Sequence, residues 1–184
     1  MLEALKLFSQ NGYGAVSVRD IAKTLNITAG ALYKHYQSKQ DIFANILSRM
    51  EENDKRQAME YHVPEETFEH IPSAYKETEI MDFLRFALAM FRYWTEDEFA
   101  SAFRRMLTLE QYSSPEMFTM YQNYFGSGVL QYVEDILRES GYENPEMVAL
   151  RFYGPFYFLL NQYDAASDKK EVFAKLQRHM KGIL

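Results

Sequence analysis

Ser17 to Lys39 reads SVRDIAKTLNITAGALYKHYQSK, and two helices with one tight turn between them can be taken from it directly. Ser17 is placed to cap a helix whose third residue is Asp20, the reciprocal arrangement of a capping box, and Ile21, Ala22 and Leu25 then share one face at helical spacing. That helix is predicted to end near Asn26. Thr28 is placed to cap a second helix reaching Tyr36, so only Asn26, Ile27 and Thr28 separate the two, the connection length of a helix-turn-helix. Leu32 and Tyr36, with Ile27 just ahead, are predicted to point inward, while Ala29, Gly30, Tyr33 and Lys34 share the opposite face.

That opposite face suits a duplex groove. Ala29, Gly30 and Ala31 let the helix backbone come close, the amides of its first turn favour a phosphate, and Lys34 and His35 supply further donors. Gly30 costs about 1 kcal/mol relative to alanine in a helix interior. Two explanations stay open for it: a packing contact inside the protein, or close approach to something outside.

Around this unit the chain carries Leu7-Phe8, Gly12-Tyr13, Ser17-Val18, Ile21-Ala22, Thr28, Gly30, Leu32-Tyr33, His35-Tyr36 and Ser38-Lys39 in one frame, between Ala4 and about Leu47. The combination resembles the tetracycline-repressor-like (TetR-type) transcriptional regulators. The resemblance implies an all-α fold: a three-helix helix-turn-helix DNA-binding head at residues 1–46 and a larger helical-bundle body for ligand binding and dimerisation at 47–184. It implies a ligand-responsive repressor that binds a near-palindromic double-stranded operator as a homodimer and is released by a small-molecule inducer. The positions matching Ser17 and Arg19 would approach DNA from the second helix, those matching Thr28, Ala29, Gly30, Tyr33, Lys34 and His35 from the third, and that matching Lys39 from the start of the fourth. A helical small-molecule or protein-interaction domain without DNA binding is the alternative.

Composition is consistent with this. The chain has 184 residues and no cysteine, which excludes disulfides and thiolate chemistry and fits a reducing cytoplasm. No apolar run approaches the ~18 residues that span a bilayer, so no membrane partner is expected. The formal charge of −6 is unevenly spread. Residues 1–50 hold six basic side chains against three acidic, and the remainder fourteen against twenty-three. A basic head on an acidic body is the pattern that attracts DNA at one end only.

The rest of the chain reads as helices. MLEALKLFSQ forms the first, closed by Gly12-Tyr13-Gly14, and Ser38 with Asp41 opens a fourth that reaches about His62. Segment 64–73 is left as helix or loop. A helix is predicted from about Lys76 to Trp94, and a Thr95/Glu98 capping box ahead of the next. Ser114-Pro115 starts a long helix that Gly141 stops, and Gly126-Ser127-Gly128 inside it signals close packing or a bend. Asn144-Pro145 starts another to about Tyr163, in which Gly154-Pro155 should kink the helix or remove a hydrogen bond, and Ser167 or Asp168 opens the last. This gives about nine helices.

The body is rich in rings; the chain has 14 Tyr and 14 Phe. Buried phenols need partners, so a tyrosine-rich interior favours polar groups or a ligand among the rings. Phe103, Arg104, Tyr121, Tyr124, Phe125, Tyr153 and Tyr157 are the candidate effector residues, for an aromatic or amphipathic small molecule. The resemblance implies pairing through the last two major helices, about 144–163 and 168–182, with Phe173 and Leu176 at the centre of their seam. No nucleophile elbow or phosphate loop is present, and the four histidines lack metal-ligand spacing, so neither an enzyme nor a cofactor or metal is expected. A gathering of His62, Glu66, Glu69 and His70 is the weak exception.

Overall fold

The computed structural model describes residues 1–60 and 80–183. Among them lie ten helices and no strand: α1 Leu2–Asn11, α2 Val18–Thr24, α3 Ala29–Tyr33, α4 Lys39–Glu60, α5 Ile80–Glu96, α6 Glu98–Glu110, α7 Pro115–Phe125, α8 Ser127–Glu139, α9 Pro145–Ala165 and α10 Lys169–Lys181. The chain is all-α, as expected. Segment 64–73, with His62, Glu66, Glu69 and His70, lies outside the described residues. No helix among those described is long and apolar enough to cross a membrane.

The tenth helix appears because the long one expected from 115 to 140 is two. At Gly126 a Cβ would meet the Gln122 Cα at 3.0 Å, and at Gly128 the Asn123 Cα at 2.9 Å. Backbone lies against backbone here, closer than any side chain allows. The Gln122 side chain accepts from the Ser127 amide (3.1 Å), satisfying a donor that the start of α8 would otherwise leave open. Gly141, at φ +79°, ends α8, with the Tyr142 amide bonded back to the Leu137 carbonyl and the Gly141 amide to that of Arg138.

One further helix start differs from expectation. Thr95 caps nothing: it is buried in the last turn of α5, its hydroxyl donating to the Phe91 carbonyl (2.7 Å), and α6 starts at Glu98. Asp168, the second of the two expected possibilities, caps α10 by accepting from the Glu171 amide (3.0 Å).

The fold forms two compact units that do not follow chain order, Met1–Val63 with Glu98–Met120, and Pro64–Asp97 with Tyr121–Leu184. In the first, α1 lies along α6. Ala4, Leu5 and Phe8 of α1, Phe99, Phe103, Met106 and Leu107 of α6, and Ile42, Ile46 and Met50 of α4 supply its core. Lys6 at its surface pairs with Glu3 (3.0 Å) and Glu98 (2.6 Å), and the Arg49 guanidinium lies 4.4 Å over the Phe99 ring.

The second unit is organised on α9, which touches α5, α8 and α10. Its interior is ring on ring: Phe83 stacks on Phe152 (4.9 Å), and Phe91 is edge-on to Phe156 (5.4 Å) and Tyr163 (6.0 Å). The helix runs unbroken through Pro155. Proline has no N–H, so the Arg151 carbonyl four residues earlier lacks its helical donor. His179 of α10 takes that place, its Nε2 at 2.9 Å from the Arg151 oxygen. A carbonyl only accepts, so Nε2 carries the proton.

On α10 the expected seam is turned inward. Leu176 is fully buried within the protomer, and Phe173 packs on Phe91 with Arg92 over its ring. The outward apolar stripe is on α9, where Met147, Leu150, Tyr157 and Phe158 recur at helical spacing and are 37–59% exposed.

Candidate nucleic-acid interface

The two-helix unit is set by three local devices. At its start, the Ser17 hydroxyl oxygen accepts from the Asp20 amide while the Asp20 carboxylate accepts from the Ser17 amide (2.8 Å), closing the expected capping box. The Ser17 hydroxyl, and then its amide, hold the Asp20 carboxyl below the usual carboxylate range. At the reversal, Asn26 takes φ +54°, the left-handed region that Asn tolerates better than most residues. The Ile27 amide then reaches the Ala22 carbonyl and the Asn26 amide that of Lys23, both at 3.0 Å, a Schellman closure. Beyond it, Thr28 caps α3 by accepting from the Ala31 amide (3.1 Å).

Ile21, Ala22 and Leu32 form the buried side of the unit. Leu25 and Ile27, expected to join them, are 37% and 43% exposed, because the reversal at Asn26 carries both to the rim. α3 is also shorter than expected. It ends at Tyr33, and Lys34 to Tyr36 continue as a turn, since Gln37 and Ser38 must set the start of α4. The Gln37 amide donates to Asp41 (2.8 Å) and the Asp41 amide to the Ser38 hydroxyl (3.1 Å).

The expected contact residues fall into two groups. Ser17, Arg19, Thr28, Gly30, Tyr33, Lys34 and His35 are exposed and Ala29 is half-buried; Tyr33 presents 53% of its surface. At Gly30, a Cβ would find nothing nearer than the Thr28 Oγ1 at 3.9 Å. Among the described residues no packing explains this glycine.

Lys39 differs. Its Nζ donates to the carbonyls of Tyr13 (2.7 Å), Val16 (2.8 Å) and Gly14 (3.4 Å) and lies 4.3 Å over the Tyr13 ring. Three protons meet three carbonyls.

The seven expected effector residues divide between the two units. Phe103 and Arg104 are buried on α6 in the first. In the second, Tyr121 and Tyr157 share a phenol–phenol hydrogen bond (2.6 Å), Tyr153 donates to the Phe125 carbonyl (2.9 Å), and Trp94 lies edge-on to both Tyr124 and Phe125. Burial, followed by the charges of Tyr121 and Tyr157, pushes the Tyr153 phenol up. The sequence reading missed Glu110 and His179, each bonded across the fold to a backbone group, because nothing local marks such partners.

A capped helix, a Schellman reversal and a short capped helix with a polar outer face define a helix-turn-helix protein. Residues 2–46 match the bacterial regulatory proteins of the tetR family. The HTH-type transcriptional regulator AcrR of Shigella flexneri is 41% identical over 58 residues, 32% of this chain and 27% of that protein, so the likeness spans about a quarter of AcrR. Over the whole chain the fold is that of a TetR/AcrR-family regulator from Aquifex aeolicus VF5 (TM-score 0.69, 19% identity, 100% of this chain and 96% of that one). It is also that of SmeT, the repressor of the Stenotrophomonas maltophilia multidrug efflux pump SmeDEF, solved with triclosan (TM-score 0.67, 17% identity, 100% and 87%). Residues 2–46 are thus similar to the DNA-binding head of tetR-family regulators, and the whole chain shares the fold of such proteins.

Proposed function

We propose that the chain is a ligand-responsive transcriptional regulator, a repressor that binds a near-palindromic operator as a homodimer and is released by a small-molecule inducer. Residues 1–46 act as the DNA-binding head and 47–184 as the ligand-binding and dimerisation part. The α3 face carries this reading: Tyr33, Lys34 and His35 stand exposed beside a glycine that no packing among the described residues requires. α3 enters the major groove at Gly30, with Tyr33, Lys34 and His35 over the bases and backbone, while Ser17, Arg19 and Thr28 flank it. The basic excess of residues 1–50 supplies the attraction.

Two half-sites require two heads. The stripe of Met147, Leu150 and Phe158 on α9 is the seam that pairs them about a two-fold axis. Operator binding places the protein in the cytoplasm.

The inducer is aromatic or amphipathic and is held in the second unit. Tyr121, Tyr153 and Tyr157 offer hydroxyls among the rings of Tyr124 and Phe125, and the SmeT complex with triclosan supports the class. α4, 22 residues long and so about 33 Å, begins beside the reading unit and is the lever by which an inducer changes the separation of the two heads. By linkage the inducer binds the DNA-free form better, by roughly 5–150-fold.

Selection of duplexes from a random pool, followed by anisotropy titration of the enriched duplex, tests the reading. Wild type should bind it, and Tyr33→Ala with Lys34→Ala should lose about 100-fold in affinity at unchanged helix content. Equal affinity in the double variant would remove α3 from the interface.

A further inference from the structure

The turn joining α1 to α2 is gripped from both sides by charge. Gly12 leaves α1 at φ +82°, which turns the Tyr13 amide toward α6, where the Glu110 carboxylate accepts from it at 2.7 Å. A Cβ at Gly12 would meet that same carboxylate oxygen at 3.0 Å. Glycine is thus required twice, for the backbone angle and for the approach of Glu110. On the other side of the same residue, the Tyr13 carbonyl accepts from Lys39, which also holds the carbonyls of Gly14 and Val16. The Tyr13 ring fills the space between, 5.1 Å from Phe8 and 5.2 Å from Phe43.

Glu110 is the last residue of α6 and Lys39 the first of α4. The residue after Val16 is Ser17, whose capping box sets where α2 begins, and α2 with its reversal sets α3. Hydrogen bonds to charged groups are roughly twice as strong as neutral ones. A residue held by a carboxylate at its N–H and an ammonium at its C=O, so that the peptide groups on both sides of it are fixed, is therefore the firmest point of this turn.

Resting on the reading of α3 as a DNA-contacting helix, we propose that Glu110 and Lys39 are positioning residues for it, a clamp closed through Tyr13, and that the Lys39 ammonium makes no phosphate contact. A lysine with all three protons on carbonyls must give up at least one of these bonds to reach a phosphate. Glu110, 97 residues from Tyr13 in sequence, makes the pose of the head depend on the end of α6.

The test uses the full chain and the enriched duplex, comparing wild type with Lys39→Met, Glu110→Ala and Glu110→Gln over a salt series. Lys39→Met should lose about tenfold or more in operator affinity, while the slope of log K against log salt stays at the wild-type value. Glu110→Ala should lose affinity likewise, and its Tyr13 amide should exchange rapidly with deuterium. Glu110→Gln keeps an acceptor oxygen and should recover most of the affinity. A slope flatter by about 1.8 in Lys39→Met, from ~0.9 per phosphate in each of two heads, would place the ammonium on DNA and overturn the clamp. So would wild-type affinity in Glu110→Ala. If Glu110→Ala loses helix content, Glu110→Gln decides: affinity and Tyr13 exchange both at wild-type values support the clamp, and rapid exchange with full affinity sinks it. Wild type that binds no duplex would overturn the DNA-binding reading itself, whereas the other contrary outcomes sink the clamp alone.

Discussion

Gly30→Ala separates the free protein from the bound one. In the free chain the added methyl meets nothing closer than the Thr28 Oγ1 at 3.9 Å, so no strain opposes the gain in helix propensity. That gain is up to about 1 kcal/mol, and for a chain of this size it raises the melting midpoint by roughly 2–4 °C. On the duplex the methyl stands where the α3 backbone comes nearest the groove. If it displaces the helix enough to lose one base contact in each half-site, at the lower end of the ~1–3 kcal/mol that such a contact is worth, the dimer loses about 2 kcal/mol. Operator affinity then falls about 30-fold. Thermal melting by circular dichroism and anisotropy titration of the enriched duplex read the two effects on one preparation. A variant that melts higher and binds the operator as well as wild type would refute close approach at Gly30. A variant that melts several degrees lower would mean that the glycine serves the fold after all.

Phe158 is 59% exposed on α9, so roughly 120 Å2 of its ring awaits cover, about 3 kcal/mol per protomer if fully buried in a dimer. Phe158→Asp should yield a folded monomer in sedimentation at micromolar concentration, with operator affinity reduced at least 1,000-fold, whereas a dimer of wild-type strength would exclude α9 from the seam; Leu176→Asp, at a buried position, should instead unfold the chain. Tyr153→Phe should cost about 1 kcal/mol at neutral pH, read from urea midpoints, through loss of the bond to the Phe125 carbonyl. Because the folded state raises the Tyr153 phenol above its ordinary value, its contribution is complete below about pH 10 and falls away above it; the variant's stability should decline less steeply at high pH, and parallel declines would refute this. His179→Ala should cost about 1 kcal/mol by the loss of its bond to the Arg151 carbonyl, and less in a Pro155→Ala background where residue 155 can donate instead. Additive urea results would uncouple the two.

What could be read from the sequence was what is written locally. Ser17 with Asp20, Thr28, Pro115, Gly141 and Asp168 mark helix ends through side chains or backbone angles that act within four residues, and the structure uses each as expected. The close packing or bend expected at Gly126-Ser127-Gly128 is present, but it divides the expected long helix in two, because Gly126 and Gly128 admit backbone contact between successive turns, and a periodicity of side chains does not register how far that goes. Thr95 failed because a hydroxyl that can cap forward can equally bond back to the carbonyl four residues earlier, and burial at the end of α5 chose the second. The seam on α10 failed for a different reason. Val172, Leu176 and Met180 form an apolar stripe, but a stripe does not say whether the protomer or its partner covers it. Lys39 illustrates the limit on sites: its position at the head of α4 suggests an anion, and only the fold brings three carbonyls to it.

The most direct measurement replaces Tyr33 with a photoreactive residue, Tyr33→benzoylphenylalanine, and maps its crosslinks on the enriched duplex. Tyr112, 84% exposed beyond the end of α6, serves as the control position. Reading by α3 predicts crosslinks from position 33 at two places, one in the major groove of each half-site, about 10 base pairs or a multiple of that apart, and none from position 112. Crosslinks from position 112 with none from position 33 would contradict it.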